Sequence, residues 1–240
     1  MQSTRIIPVA ADAILLHQLE RTTNTSVFVS ARLLARQFTG QDNEGLLCLS
    51  EYANFLRNLR LTTSAELLAD GQSGFGNALN TYYTACELAR SGADRLVLND
   101  QSFPAHSLTP QQPVSLLNFA GKLKAAQDGL KEKSTELVVK LDGIQYYGIS
   151  GIKERIKIAK KLGIASIIIG HLNTELFLEL ENKVSLTNIG LAQDNELISI
   201  AELEQAVPAF IIPIADSIKY QEKMTAELIS RLEEKQYEKL

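Results

Sequence analysis

Apolar and polar residues alternate along the chain in one recurring unit: a short β-branched run, a turn and an amphipathic helix. The run Ala165 to Ile169 is apolar on both faces, which is typical of a parallel strand covered on both sides. The pattern predicts strands over residues 5–9, 26–29, 65–69, 95–98, 136–141, 165–169, 184–187 and 209–214. It predicts helices over residues 13–21, 49–61 (with Ser50 as N-cap), 78–91, 114–129, 151–162, 172–181, 200–206 and 216–236.

This order of elements indicates the fold class. Parallel strands need crossover helices, and eight strand–helix units in 240 residues fit a closed barrel. We therefore predict a single-domain α/β protein, a (β/α)₈ TIM-type barrel over residues 1–240. An open doubly wound sheet is the alternative, and no Pro/Gly/Ser-rich linker or repeat divides the chain.

Composition and charge disfavour a nucleic-acid-binding protein and a membrane-spanning protein. The net charge of -4 and the absence of Trp disfavour nucleic-acid binding. No apolar run approaches the ~20 residues of a membrane-spanning helix, and the N-terminus lacks a signal-peptide pattern, so we expect a cytoplasmic protein. Cys48 and Cys86 have no metal-site spacing and are expected to be free thiols.

In such a barrel, chemistry is expected at the carboxyl ends of the strands. The glycine-rich turn from Asp70 to Asn77 either holds an anion with its amides or is only a tight strand-to-helix turn. Asp42 and Asp70 offer oxygen ligands suited to Mg²⁺, although an Asp at a strand end is often a cap. Two further strands are also followed by oxygen ligands: Asn99 and Asp100 come after the fourth strand, and Asp142 comes after the fifth.

Two basic side chains also lie near strand ends: Lys140 is inside the predicted fifth strand, and His171 follows the sixth. Lys140 would bind a substrate carboxylate or phosphate, or pair with Asp142. His171 would act as an acid–base group or cap the next helix. The segment over residues 99–113 contains prolines that block helix and strand, and a loop of this length is often functional or mobile.

Three stretches of the chain resemble one enzyme family. LLADGQSGFGNALN and ELARSGADRLVLNDQSFP are similar to the Asp-Ala-Asp-Thr-Gly-Tyr/Phe-Gly-Asn and Glu-Asp-Gln/Lys-x-Phe-Pro motifs of the phosphoenolpyruvate mutase/isocitrate lyase superfamily. Upstream, VFVSARLLARQFTGQDNEGLLCLSEY is similar to the family's second strand and following loop. The resemblance covers most of residues 6–104, whereas residues 135–240 share only the strand–helix rhythm and a few positions.

The resemblance implies a Mg²⁺-dependent barrel that makes or breaks C–C or P–C bonds of α-keto or α-hydroxy acids through enolate-like species. It implies an oligomer, a homotetramer or homodimer, with the helix from Asp216 between subunits. It assigns metal binding to Asp70, Asp42 and Gln72, and catalysis to Lys140, His171 and His106. The substrate, a small carboxylate or phosphonate, would be bound by Ser30, Ala31, Arg32, Gly74 and Asn99.

Departures from the family motifs limit this expectation. Gln72 and Asn99 stand where the family has carboxylates, so Mg²⁺ binding should be weakened or lost. The gating segment reads Ala105-His106-Ser107 and lacks the lyases' thiol, so isocitrate or methylisocitrate lyase activity is not expected. Two hypotheses remain: a divergent lyase, mutase or decarboxylase, or an inactive barrel that binds a small carboxylate or phosphate ligand or a protein partner.

Overall fold

The computed structural model describes residues 4–22, 26–106 and 111–237, with side chains as far as residue 233. Its strands are β1 Arg5–Ile6, β2 Val9–Ala10, β3 Ser26–Val29, β4 Glu66–Asp70, β5 Arg95–Asn99, β6 Glu136–Leu141, β7 Ser166–Ile169, β8 Ile189–Ala192 and β9 Phe210–Ile212. Its helices are α1 Ala13–Glu20, α2 Ala31–Thr39, α3 Leu49–Arg60, α4 Ala78–Arg90, α5 Leu116–Leu130, α6 Ile144–Lys161, α7 Thr174–Lys183, α8 Ile200–Gln205 and α9 Ile214–Tyr237, with a 3-10 helix at Glu44–Leu46.

The nine strands form one all-parallel sheet in the order β1-β9-β8-β7-β6-β5-β4-β3-β2. The predicted first strand is present as two short pieces with different neighbours. Ile6 in β1 pairs with Ile211 in β9, whereas Val9 in β2 pairs with Phe28 in β3. The segment around Pro8 therefore joins one end of the strand order to the other.

The core consists of the strand side chains and the helix faces that cover them. Val139 and Ile168 are fully buried in adjacent strands β6 and β7, and Leu56 and Leu88 are fully buried on the helices. Burial of this continuous apolar layer stabilises the fold. Because all the strand pairs are parallel, every strand's carboxyl end lies at one edge of the sheet. Among the described residues, no helix is both long and apolar enough to cross a membrane.

The seventh predicted strand was wrong. The segment Val184 to Thr187 has a β-branched residue at each end, but it lies in the connection after α7, and the strand is Ile189–Ala192. A glycine at the second position of that strand lowers the β-strand propensity of the segment, so the apolar pattern did not indicate a strand there. Gly190 is needed because a Cβ there would lie 2.3 Å from the Phe210 ring on the neighbouring strand.

Three local predictions also need correction. Residues 31–39 form a helix that the pattern reading missed, although Ser30 caps its start and Gly40, with φ 68°, ends it. Cys48, not Ser50, is the N-cap of α3. Helix α6 begins at Ile144, ahead of the predicted residue 151, and is broken by Gly148 at φ 58°.

Candidate active site

The predicted site residues lie at the carboxyl edge of the sheet, where the structure brings them into two groups. The first surrounds Asp70 at the end of β4, and the second surrounds Lys140 near the end of β6. Arg32 reaches toward the second group from α2. Ser107 and the middle of the loop over residues 99–113 lie outside the described residues.

Backbone amides fix the carboxyl group of Asp70. Asp70 Oδ1 accepts a hydrogen bond from Gln72 N at 3.0 Å, and Oδ2 accepts one from Ala31 N at 3.1 Å. Ala31 is the first residue of α2, so this amide is one that the helix leaves without an internal partner. The side chain is half-buried and held between β3 and β4.

Glu44 is a functional candidate that sequence reasoning missed. It begins the 3-10 helix and is buried, and its main-chain carbonyl oxygen accepts a hydrogen bond from Gln72 Nε2 at 3.0 Å. Burial and the nearby charge of Glu44 raise the pKa of Asp70 to about 7. The only signal in the sequence is a second acidic residue two positions after Asp42.

Gln72 has an unusual environment. Its φ is 47°, a left-handed conformation that costs a non-glycine residue about 1–3 kcal/mol. Its Oε1 atom is buried and has no hydrogen-bond partner among the described residues. A buried amide oxygen without a hydrogen-bond partner is a suitable ligand for a hard cation, and Gln72 N and Nε2 bind Asp70 and the main chain of Glu44.

Backbone groups of the glycine turn form hydrogen bonds within the turn and with α4. Gly74, with φ 80°, donates its N–H to Gly71 O at 2.9 Å, and Gly74 O accepts a hydrogen bond from Thr84 Oγ1 at 3.2 Å. Asn77 Oδ1 accepts hydrogen bonds from the first amides of α4, those of Leu79 and Asn80. These amides are therefore already bound within the turn and the cap.

Asp42, one of the predicted metal ligands, is held by two arginines. Arg32 donates from Nε to Asp42 Oδ1 at 2.6 Å and from Nη2 to Oδ2 at 2.8 Å, and Arg36 Nη1 lies 3.2 Å from Oδ2. Burial favours the neutral acid, but the Arg32 guanidinium prevails and lowers the pKa of Asp42. Asp42 and Arg32, predicted to bind metal and substrate respectively, thus neutralise each other.

Ser30 and Asn99 make local structural hydrogen bonds. Ser30 Oγ accepts a hydrogen bond from Leu33 N at 3.2 Å as the cap of α2. Asn99 Oδ1 accepts one from Gln101 N at 3.1 Å, and Asn99 N donates to Gln72 O at 2.7 Å. Both residues are buried beside the Asp70 group.

The second group is an ion-pair cluster around Lys140. Lys140 Nζ lies 2.9 Å from Asp142 Oδ1, 3.0 Å from Asp142 Oδ2 and 2.8 Å from Asp194 Oδ1, and all three side chains are buried. Burial opposes the charge of the ammonium, but the two carboxylates outweigh it and raise the pKa of Lys140. Lys140 Nζ also holds the pKa of Asp194 below its ordinary value against the effect of burial.

His171 completes this cluster. Its φ is 53°, its backbone N donates to Asp194 Oδ2 at 3.0 Å, and its carbonyl oxygen accepts from Gln145 Nε2 at 3.1 Å. The ring is buried, and Nε2 has no hydrogen-bond partner among the described residues. Asp194 was missed from the sequence because it follows the strand β8 that was misplaced.

Gln101 connects the loop after β5 to the second group. Its Oε1 accepts hydrogen bonds from His106 N at 3.1 Å and Gln111 N at 2.8 Å, while its Nε2 donates to Asp142 Oδ2 at 3.3 Å. Burial lowers the pKa of His106, which lies close enough to Asp42 for that charge to oppose the shift. His106 is thereby held at the carboxyl edge of the sheet.

Comparison with known proteins tests the resemblance. The chain is 27% identical over 136 residues to an oxaloacetate decarboxylase of Bradyrhizobium sp. (strain ORS 278), covering 56% of this chain and 47% of that protein. It is 26% identical over 166 residues to the 2,3-dimethylmalate lyase of Eubacterium barkeri, covering 68% of this chain and 57% of that protein. A solved structure described as a 2,3-dimethylmalate lyase of the PEP mutase/isocitrate lyase superfamily superimposes with a TM-score of 0.82 at 17% identity, over 97% of this chain and 80% of that one. The resemblance of this chain to the phosphoenolpyruvate mutase/isocitrate lyase superfamily, predicted from its sequence, is confirmed.

Further comparisons define the extent of the match. A solved structure of oxaloacetate acetylhydrolase with the inhibitor 3,3-difluorooxalacetate gives a TM-score of 0.83 at 17% identity, over 96% of this chain and 82% of that one. No family model matches the chain. The chain spans about half the length of the first curated relatives it matches.

Proposed function

We propose that this chain is a divergent superfamily enzyme, a lyase, decarboxylase or mutase that acts on a small α-keto acid or phosphonate through an enolate-like species. The observation that carries the proposal is the carboxyl group of Asp70, oriented by two backbone amides beside the buried Glu44. The relatives support the substrate class, since they include an oxaloacetate decarboxylase, a phosphonopyruvate hydrolase and a 2,3-dimethylmalate lyase.

A Mg²⁺ ion fits the Asp70 group. Asp70 and Glu44 would supply carboxylate oxygens and Gln72 its buried Oε1, and Mg²⁺ commonly takes one or two carboxylates with water and substrate oxygens. A solved phosphonopyruvate hydrolase at 20% identity is described with oxalate and Mg²⁺. When bound, the metal would polarise the keto oxygen and stabilise negative charge developing on it. Asp42 takes no part as a ligand, because its two oxygens are bound by arginine.

The protein's own side chains would deliver the proton and contact the charged groups of the substrate. During decarboxylation the C–C electron pair moves into the enolate as CO₂ leaves, and a proton must then reach the carbon. His171 Nε2 is a buried nitrogen free of hydrogen bonds to the described residues, so His171 is our candidate for holding and delivering that proton. Lys140 would act on substrate charge from within its ion-pair cluster, and His106 would contribute from the loop above.

Turnover by the purified chain tests this proposal. Oxaloacetate, phosphonopyruvate and 2,3-dimethylmalate are each supplied with Mg²⁺, and pyruvate, phosphate or cleavage products are measured against protein-free blanks. We expect one substrate to be turned over, with activity falling at least ~100-fold in Asp70→Asn and also falling in Glu44→Gln. Glu51→Gln, on the exposed start of α3, is the matched control. Turnover of none of the three, or turnover unchanged in Asp70→Asn, would refute the proposal.

We propose further that β1 and β2 close the sheet into a full barrel, because they pair with β9 and β3 respectively.

We also propose a homo-oligomer in which α9 packs against a second copy. Tyr220, Met224, Leu228 and Leu232 recur every four residues on α9 and are more than half exposed. A cavity of about 700 Å³ lies beside the first half of α9 and adjoins this apolar surface. Its lining includes Leu15, Leu19 and Met224.

A further inference from the structure

A second group of possible metal ligands lies at the carboxyl edge of the sheet, apart from the Asp70 group. Asp142, His171 and Asp194 present ligand atoms that all lie within 4.8 Å of one another, and all three residues are buried. Two carboxylates and an imidazole form a donor set typical of a transition-metal site. The unpartnered His171 Nε2 is an independent sign that the set has capacity for a ligand.

The position already contains a positive charge. Lys140 Nζ lies within 3.0 Å of an oxygen of Asp142 and within 2.8 Å of Asp194 Oδ1, where an ion bridging these carboxylates would have to sit. A divalent cation held by the same oxygens would be only a few ångströms from the ammonium, and repulsion at that distance is large inside a protein. Lysine and metal are therefore mutually exclusive here.

The surrounding backbone keeps the two carboxylates together. A Cβ on Gly170 would lie 2.3 Å from Asp194 Oδ2 and 2.5 Å from Asp142 Oδ1, so only glycine lets both oxygens approach this closely. His171 N holds Asp194 Oδ2 at 3.0 Å, and Gln101 Nε2 holds Asp142 Oδ2 at 3.3 Å. The carboxylates are thus positioned by groups other than Lys140 and should stay in place without it.

We infer that the ammonium of Lys140 is the resident cation of an Asp142–His171–Asp194 metal site, and that it excludes divalent metal from this position. The wild-type chain would then take a metal only at Asp70. Loss of the ammonium would open the site to an ion such as Co²⁺ or Zn²⁺. The inference does not depend on turnover of any keto acid, so its failure is separable from failure of the proposed function.

Cobalt titration of Lys140→Met tests this inference, because Co²⁺ with an imidazole ligand at low coordination number absorbs visibly. We expect Lys140→Met to show such a band and to bind Co²⁺ at least ~100-fold more tightly than the wild type at this site. Adding Asp194→Asn should remove the band. Lys183→Met is the matched control, since Lys183 pairs with Glu179 on the exposed face of α7.

Two results would overturn the inference. One is a folded Lys140→Met that gives no band, and the other is a wild-type chain that gives the same band at the same Co²⁺ concentration. If Lys140→Met is unfolded without metal, Co²⁺ or Zn²⁺ should restore its folding by replacing the lost charge. A variant that stays unfolded with either ion contradicts the inference.

Discussion

Tyr52 Oη accepts a hydrogen bond from Asp70 N at 2.6 Å and donates one to Val29 O at 2.6 Å. The hydroxyl of this fully buried residue on α3 thereby joins the carboxyl ends of β3 and β4 beneath the Asp70 carboxyl group. Tyr52→Phe should lower the free energy of unfolding by about 1–3 kcal/mol for each backbone group left unsatisfied. Urea denaturation measures this, and Tyr83→Phe, on an exposed ring, should stay within about 0.5 kcal/mol of the wild type.

Asp100 is a buried carboxylate that accepts four hydrogen bonds. Its Oδ2 accepts hydrogen bonds from Arg155 Nε at 2.8 Å and Tyr147 Oη at 2.7 Å, and its Oδ1 accepts from the amides of Asp142 and Gly143. Asp100→Asn leaves a buried guanidinium uncompensated and should cost about 3–5 kcal/mol.

The matched control for that substitution is Asp128→Asn. Asp128 pairs with Lys124 at 2.7 Å on the exposed surface of α5, and exposed pairs contribute about 0.2–1 kcal/mol. Thermal unfolding should show a much larger loss of stability for Asp100→Asn than for Asp128→Asn. Equal destabilisation of the two would contradict the structural role given to Asp100.

The raised pKa of Asp70 predicts two pH dependences. Because the folded-state pKa, about 7, exceeds the ordinary value of 3.8, the folded chain binds the proton more tightly than the unfolded chain. This contribution to stability is present below pH 3.8 and is lost as pH rises through about 7. A ¹³C carboxyl titration should show a midpoint near 7 that is absent in Asp70→Asn.

The same pKa predicts how metal binding depends on pH. Since the ionised carboxylate is the ligand, Mg²⁺ affinity should increase as pH rises through about 7 and level off above it. Calorimetric titration at pH 6 and pH 8 measures the difference. An affinity that is equal at both values would exclude Asp70 as a ligand with this pKa.

Gly170 and Gly121 give a matched pair of Gly→Ala substitutions with opposite expected signs. A Cβ at Gly170 overlaps Asp142 and Asp194, so Gly170→Ala should cost about 1–3 kcal/mol. A Cβ at Gly121, on α5, meets nothing within 4 Å, so Gly121→Ala should stabilise the chain by about 0.5–1 kcal/mol. A destabilised Gly121→Ala would contradict the open surroundings of that position.

The apolar stripe on α9 predicts the behaviour of charged variants. If α9 packs against a second copy, Met224→Glu together with Leu228→Glu should shift the chain toward the monomer in sedimentation velocity. Lys223→Glu, on the same helix but outside the stripe, is the control. A wild-type chain that sediments as a monomer would refute the proposed oligomer directly.

Sequence reasoning predicted most strands because buried parallel strands have a simple apolar signature. It found Asp70, Lys140 and His171 at the carboxyl edge because that position follows from the strands alone. It failed at β8, where Gly190 is set by the Phe210 ring on a strand that follows twenty residues later along the chain. A packing requirement of this kind has no local pattern.

The ion-pair partners of the charged residues also could not be predicted from the sequence. That Arg32 neutralises Asp42, or that Asp194 shares Lys140 with Asp142, depends on side chains brought together by the complete sheet. The sequence correctly offered a Lys140–Asp142 pair as one possibility because the two residues are neighbours. Asp194 lies 54 positions away and could be joined to them only by the fold.

The pairing of Ile6 with Ile211 has a consequence for biosynthesis. A ribosome releases β1 before β9, and Ile211 emerges only after the 204 residues between it and Ile6 have been made. Until then β1 and the growing sheet present unpaired edges, which are prone to association with other chains. Because closing such a long loop is slow, the nascent chain should depend on chaperones during the interval before β9 appears.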